Sequence, residues 1–171
     1  MYIPSDDTNL LAECAQHYRG RWALEIGIGS GAVAESLAAN FKNVVGTDIH
    51  LPSLVYCRGR NSGVALVCCD AASPFRNVQF DLVVANPPYL PDDNDKDHAV
   101  HGGPTGLEVT VSFIASALPL LSRQGAILVV VSSRADSSAL NEFLEKNKLG
   151  KKVALKKELF FEHLSVLEIT F

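Results

Sequence analysis

Five short runs rich in apolar and β-branched residues recur along the chain, at Trp22–Ile28, Val44–Ile49, Val64–Cys69, Phe80–Ala85 and Ala126–Ser132. Each is apolar nearly throughout, without the in-and-out alternation of a half-solvated strand, which is the pattern of strands covered on both faces. Between them lie segments of helical character, at about 7–18, 31–41, 52–60, 105–121 and 136–147. Strands and helices that alternate in this way predict an α/β fold built on a parallel sheet. The last third differs, because Val153–Glu158 and Ser165–Phe171 are joined only by a short connection around Phe161–Leu164. A connection that short permits only antiparallel pairing. The expectation is a seven-stranded, mostly parallel sheet, with helices on both faces and a C-terminal antiparallel hairpin at one edge.

The 171 residues suffice for one ordinary core and leave little room for a second, so residues 1–171 are read as a single domain. The N-terminus has no basic region followed by an apolar one. No segment approaches the roughly 18 apolar residues of a membrane span, which places the chain in the cytoplasm. Cys14, Cys57, Cys68 and Cys69 show no CxxC spacing and read as reduced core residues. His17, His50, His98, His101 and His163 show no ligand spacing with one another or with the cysteines, so no metal is expected. A net charge of −4 gives no general attraction to phosphate.

"LEIGIGSGA", residues 24–32, closes the first strand and opens a helix. Gly27, Gly29 and Gly31 stand where backbone turns tightly and approaches a ligand. The spacing also fits a dinucleotide fingerprint, with Asp48 ready to hold a ribose, so a nicotinamide enzyme is an alternative at this point. Glu25 at the loop entry argues otherwise, since a carboxylate there repels a diphosphate and suits an ammonium group. Asp70, ending the third strand in "VCCDA", can accept from the amino group of an adenine. Glu25, Asp48 and Asp70 thus close three successive strands on the rim where open α/β sheets bind ligands. Each could merely cap the helix that follows. Together, an acid for an amino-acid head, a loop for close approach, an acid for ribose and an acid for adenine describe S-adenosylmethionine.

Asn86-Pro87-Pro88-Tyr89 follows the fourth strand on the same rim. A planar nitrogen, in an amide or an exocyclic base amine, is a poor nucleophile whose hydrogens must be held away from a methyl donor. The Asn86 side-chain oxygen and the Pro87 carbonyl supply two acceptors, the prolines fix them in place, and Tyr89 can stack on a flat group.

The tetrad resembles the [Asn/Asp/Ser]-Pro-Pro-[Tyr/Phe] motif of class I methyltransferases acting on planar nitrogens. "YIPSDDTNLL", residues 2–11, and "HGGPTGLEV", residues 101–109, resemble the segments that flank the catalytic motifs in the HemK family of protein N5-glutamine methyltransferases. The resemblance runs in order along nearly the whole chain. It is nearest to the short archaeal and eukaryotic branch, which lacks the N-terminal helical domain of bacterial relatives. It implies a Rossmann-like class I fold and transfer of a methyl group from S-adenosylmethionine, leaving S-adenosylhomocysteine. The substrate it implies is the glutamine of the Gly-Gly-Gln motif in a class I translation release factor. It further implies cofactor contacts from Thr8, Glu25, Gly27, Gly29, Asp48, Ile49, Asp70, Ala71 and Asn86, with Asn86, Pro87 and Tyr89 addressing the substrate amide.

An adenine-N6 methyltransferase on DNA or RNA uses the same tetrad and is the main alternative. Against it, "PDDNDKDH", residues 91–98, puts four acids and one lysine next to Tyr89. The lysines 146, 148, 151, 152, 156 and 157 lie away from the tetrad in the sequence, near the C-terminal hairpin, where a solvated face is the simpler reading and contact with a release factor or ribosomal RNA the alternative. A non-catalytic adaptor retaining the fold is a third reading, disfavoured by the intact tetrad. The strand at Val64–Cys69 is expected at a sheet edge, yet it is apolar, a form edges avoid unless covered. The family resemblance implies a small zinc-binding activator subunit there; a second copy or a helix of this chain would also serve.

Overall fold

The computed structural model describes residues 4–60, 63–92 and 101–171. Five strands run parallel: β1 (Gly20–Ile26), β2 (Phe41–Asp48), β3 (Val64–Cys68), β4 (Phe80–Ala85) and β5 (Leu121–Ser132). β6 (Gly150–Glu158) and β7 (His163–Thr170) form the hairpin, and β7 joins the sheet antiparallel to β5. The order is β3-β2-β1-β4-β5-β7-β6. Chain direction along the sheet reverses between β1 and β4, which opens a crevice at their carboxyl ends.

Alternate residues of the central strands feed two cores. Ala23, Leu82, Val84, Leu128 and Val130 point to one face, under α1 (Asp6–Ala15), α2 (Ala32–Ala38) and α3 (Leu51–Arg58). Leu24, Ile26, Val83, Ala85, Ile127 and Val129 point to the other, under α4 (Glu108–Ala117) and α5 (Ser138–Lys146). This two-sided burial is why the strands read as unbroken apolar runs. It also places Glu25, two residues after Ala23, beneath α2.

Most differences from the sequence reading are at boundaries. β5 begins at Leu121 and not at Ala126, because Leu121 pairs with Phe80 before the register shifts. The polar run Ser122–Gln124 hid that start. α4 spans ten residues where 105–121 were expected; Gly106 at φ 94° keeps the chain out of a helix before it, and a 3₁₀ turn carrying Pro119 follows. Cys14 and Cys57 are core residues, but Cys68 is exposed and Cys69 half-buried, which corrects the expectation for that pair. β3 is an edge strand, so its end is covered less than a central strand's. Residues 93–98 of the acidic run lie outside the described residues. Among those described, no helix is long and apolar enough to cross a membrane.

Candidate active site

Two cavities meet at the carboxyl ends of β1 and β4. The smaller, about 220 Å³, is lined by Asp7, Thr8, Glu25, Gly27, Gly29, Asn86, Pro87 and Tyr89, among others. The larger, about 590 Å³, is lined by Asp48, Ile49, Asp70 and Ala71, with Gly27, Gly29 and Asn86 shared. Every site residue expected from the sequence therefore faces one of two connected spaces.

Glu25 is 5% exposed, with Oε2 buried and without a hydrogen-bond partner. Burial pushes its carboxyl well above the ordinary value, the amide of Ala34 bonding to it acts in the opposite direction, and nearby Asp48 raises it further. A carboxylate with one oxygen held by the helix and the other orphaned in a cavity suits a cationic ligand. Asp48 is engaged differently: Oδ2 accepts from the Gly29 amide at 3.0 Å and Oδ1 from the His50 amide at 2.8 Å. It ties the glycine loop to the end of β2 while keeping lone pairs for hydroxyl donors. The caps of α2 and α3 are Gly31 and His50, so neither Glu25 nor Asp48 is a helix cap residue. No helix directly follows Asp70; the chain turns there, with Ala71 at φ 46°.

Gly27 and Gly29 adopt φ of 73° and 50°, and a Cβ built on either meets no protein atom closer than 3.7 Å. Glycine is needed at both for the backbone conformation and for the open space in front of them, and protein packing does not demand it. The orphaned acid, this glycine cradle and the acids Asp48 and Asp70 beyond it are residues that would fit S-adenosylmethionine.

At the tetrad, Asn86 Nδ2 donates to Thr8 Oγ1 at 3.4 Å, and Asn86 Oδ1 is buried without a partner. The amide thus keeps its acceptor free of protein partners, on a residue that lines both cavities. Tyr89 donates its hydroxyl to Asp7 Oδ2 at 2.9 Å. Asp7 Oδ1 accepts from Ser5 Oγ at 2.8 Å and from the Thr8 amide at 2.6 Å. Asp7 is 2% exposed and is the principal site residue that reading the sequence missed. It stood within a recognised segment, but a charge near the N-terminus gives no sign that it will be buried. Phe113 and His101, which line the larger cavity, were missed for the same lack of a local signal.

The segment after the tetrad is backed by glycines. Gly102 donates its amide to the Leu90 carbonyl at 2.9 Å, and Asp92 donates to the Gly103 carbonyl at 2.9 Å. A Cβ on Gly102 would overlap the carbonyl oxygens of Pro88 and Gly106, and one on Gly106 would lie 2.6 Å from that of Tyr89. The Gly-Gly-x-x-Gly segment is thus the surface against which the tetrad backbone rests.

Comparison with known proteins agrees with this geometry. A family model described as a methyltransferase domain matches residues 24–87, from the glycine loop to the tetrad. A protein of Methanocaldococcus jannaschii, provisionally named a protein N5-glutamine methyltransferase, is 31% identical over 98% of this chain and 90% of its own length. The chain belongs to the protein N5-glutamine methyltransferase family. It is an S-adenosylmethionine-dependent methyltransferase. The release factor glutamine methyltransferase of Mycobacterium tuberculosis is 32% identical over 77% of this chain, which spans about half of that relative's length (50%). Among solved structures, the Mtq2–Trm112 complex of E. cuniculi, responsible for methylation of the eRF1 translation termination factor, matches with a TM-score of 0.81. That match covers 99% of this chain and 97% of the other, at 24% identity, and carries the fold alone. Among the described residues, no three His, Cys, Asp or Glu side chains are grouped so as to hold a metal ion.

Proposed function

We propose that this methyltransferase, acting in the cytoplasm, methylates the side-chain amide of the glutamine in the Gly-Gly-Gln motif of a class I translation release factor. The observation that carries the reading is the orphaned Asn86 Oδ1, left without a partner while Nδ2 bonds Thr8, on a residue that lines the same cavity as Glu25 with its orphaned Oε2. Bound S-adenosylmethionine supplies an electrophilic methyl group. Glu25 holds the ammonium end, Gly27 and Gly29 allow close approach, and Thr8 steadies Asn86. Asp48 with Ile49 and Asp70 with Ala71 border the nucleoside. Asn86 Oδ1 and the Pro87 carbonyl accept the two hydrogens of the substrate amide and orient its nitrogen lone pair toward the methyl group. Pro87 is buried and Tyr89 is held by Asp7, so neither acceptor nor stacking surface has to be ordered at the moment of reaction. The methylated nitrogen loses its proton afterwards to water, so no dedicated base is required.

The lysines weigh against the nucleic-acid reading. Lys152, Lys156 and Lys157 pair at the surface with Glu168, Glu158 and Asp6, which offsets part of the positive charge of that cluster. The edge strand β3 supports a partner subunit. With α3 it borders an apolar groove of about 420 Å³ lined by Leu51, Leu54, Val55, Val64 and Leu66, beside Ile49 at 75% exposure. We assign that edge to a small zinc-binding activator, as the resemblance implies.

The experiment is transfer of labelled methyl to a release factor, to its Gln→Ala form at Gly-Gly-Gln, and to DNA, with the enzyme and with Asn86→Ala. Label is expected on the intact factor alone, and Asn86→Ala is expected to lower kcat by 100-fold or more with a smaller loss of cofactor affinity. Equal labelling of both factor forms, or labelling of DNA alone, would overturn the glutamine assignment.

A further inference from the structure

Leu159, Phe160, Phe161 and Glu162 connect β6 to β7. The turn is firmly built. The Leu159 amide donates to the Glu162 carbonyl at 2.8 Å, and the Leu159 side chain packs on the core beneath α1 and α2. The Ser133 amide donates to the His163 carbonyl at 3.0 Å, and the His163 amide donates to Ser133 Oγ at 3.0 Å. Ser132 Oγ donates to the Glu162 carboxylate. These bonds hold the tip against the carboxyl end of β5, on the rim that carries Asn86.

Phe160 and Phe161 remain 92% and 88% exposed and pack on each other edge to face, with ring centroids 4.6 Å apart. A four-residue turn has no conformational need for phenylalanine, and two adjacent exposed rings make a contiguous apolar patch of the kind that marks an interaction site. The next residue, Glu162, lines the smaller cavity with Asn86, Pro88 and Tyr89. The pair therefore stands one residue from the wall of the transfer site.

We infer that Phe160 and Phe161 dock the body of the protein substrate, entering an apolar patch on the factor beside its glutamine-bearing segment. The inference rests on the proposal that a protein glutamine is methylated. The smaller cavity admits a side chain, so a folded protein that inserts one must lay its surface on the rim, where this rigid aromatic tip projects. Aromatic side chains on fixed backbone give large contact area at low ordering cost. Bases also stack on aromatics, but the carboxylate of Glu162, next to the pair and on the cavity wall, opposes a phosphate backbone.

The test compares the parent enzyme with the double variant Phe160→Ser/Phe161→Ser, and with Phe160→Leu/Phe161→Leu, on intact release factor and on a short Gly-Gly-Gln peptide. Cofactor affinity is measured by calorimetry and association state by sedimentation. The serine variant should raise KM for the intact factor 10-fold or more, leaving kcat, peptide kcat/KM and cofactor affinity within about twofold, and the leucine variant should recover part of the loss. Unchanged KM with an active parent enzyme overturns the docking role alone. Equal losses on factor and peptide would place the pair in the transfer site or the fold, and a parent dimer lost in the serine variant would assign it to self-association; either overturns the inference. Transfer by the parent to DNA and not to the factor would overturn the glutamine reading and this inference with it.

Discussion

Asn86 illustrates how one polar residue at a strand tip acquires a direction. Its amide could turn either end to the cavity, and the bond from Nδ2 to Thr8 leaves Oδ1 as the end presented. Asp7 does the same for the Tyr89 ring. Both supports come from α1, about eighty residues earlier in the chain. Asn86, Glu25 and the glycines were legible in the sequence because their residue types are chemically specific at strand ends, whereas Asp7 became visible only once α1 was seen to cover the tetrad. Glu25 also carries a pH dependence. Its carboxyl titrates near 4.5 in the unfolded chain and well above that when folded, chiefly through burial. The folded form then holds a proton that the unfolded form has released, so stability of the ligand-free protein is full below about pH 4.5 and declines as pH rises toward the raised value. Glu25→Gln removes that decline. It is expected to raise the ligand-free Tm at pH 7–8, by roughly 2–4 °C for each kcal/mol recovered, with the gain vanishing near pH 4. Affinity for S-adenosylmethionine should fall 10-fold or more as the ammonium loses its charged partner. Thermal unfolding between pH 4 and 8, with calorimetry, checks both; parallel Tm profiles would refute the burial argument.

At the scale of elements, the strand-to-helix turns do the positioning. The loop from β1 to α2 passes through three positive-φ glycines, and Asp48 bonds the middle one, so β1, β2 and the cofactor cradle form one hydrogen-bonded unit. The segment from Gly102 to Gly106 similarly fixes the tetrad from behind. Its place in the sequence was recognisable, but its purpose was not, because a close approach of two backbones leaves no pattern within either one. Gly102→Ala tests that purpose. The added methyl would meet backbone carbonyls that cannot rotate aside, so a destabilisation of about 1–3 kcal/mol is expected. Displacing Pro88 should also lower kcat 10-fold or more. Normal thermal unfolding together with normal turnover would show that the contact is not needed.

For the whole molecule, the sheet order decides which surfaces are available. β3 ends the sheet on one side with apolar residues, while β6 ends it on the other with lysines already paired to the chain's own acids. Charged residues protect one edge, and the other is the edge we propose a partner covers. Co-expression with a small activator subunit should raise the soluble yield of the chain, and Val55→Lys, at a 66% exposed position in the lining of the groove, should weaken that association at least 10-fold without lowering the Tm of the isolated chain. A chain that is monomeric, soluble and fully active alone would refute the need for a partner at β3. By itself, the sequence determined the α/β class, the parallel sheet with its antiparallel finish, and the chemistry of the rim, because strand burial and strand-end residue types are local properties. Tertiary structure alone decided that α1 brings Asp7 and Thr8 onto the tetrad, that Cys68 lies on an exposed edge, and that Phe160 and Phe161 stand beside the cavity wall. Each of these depends on which elements become neighbours in space, and a local pattern of apolar and polar residues does not encode that.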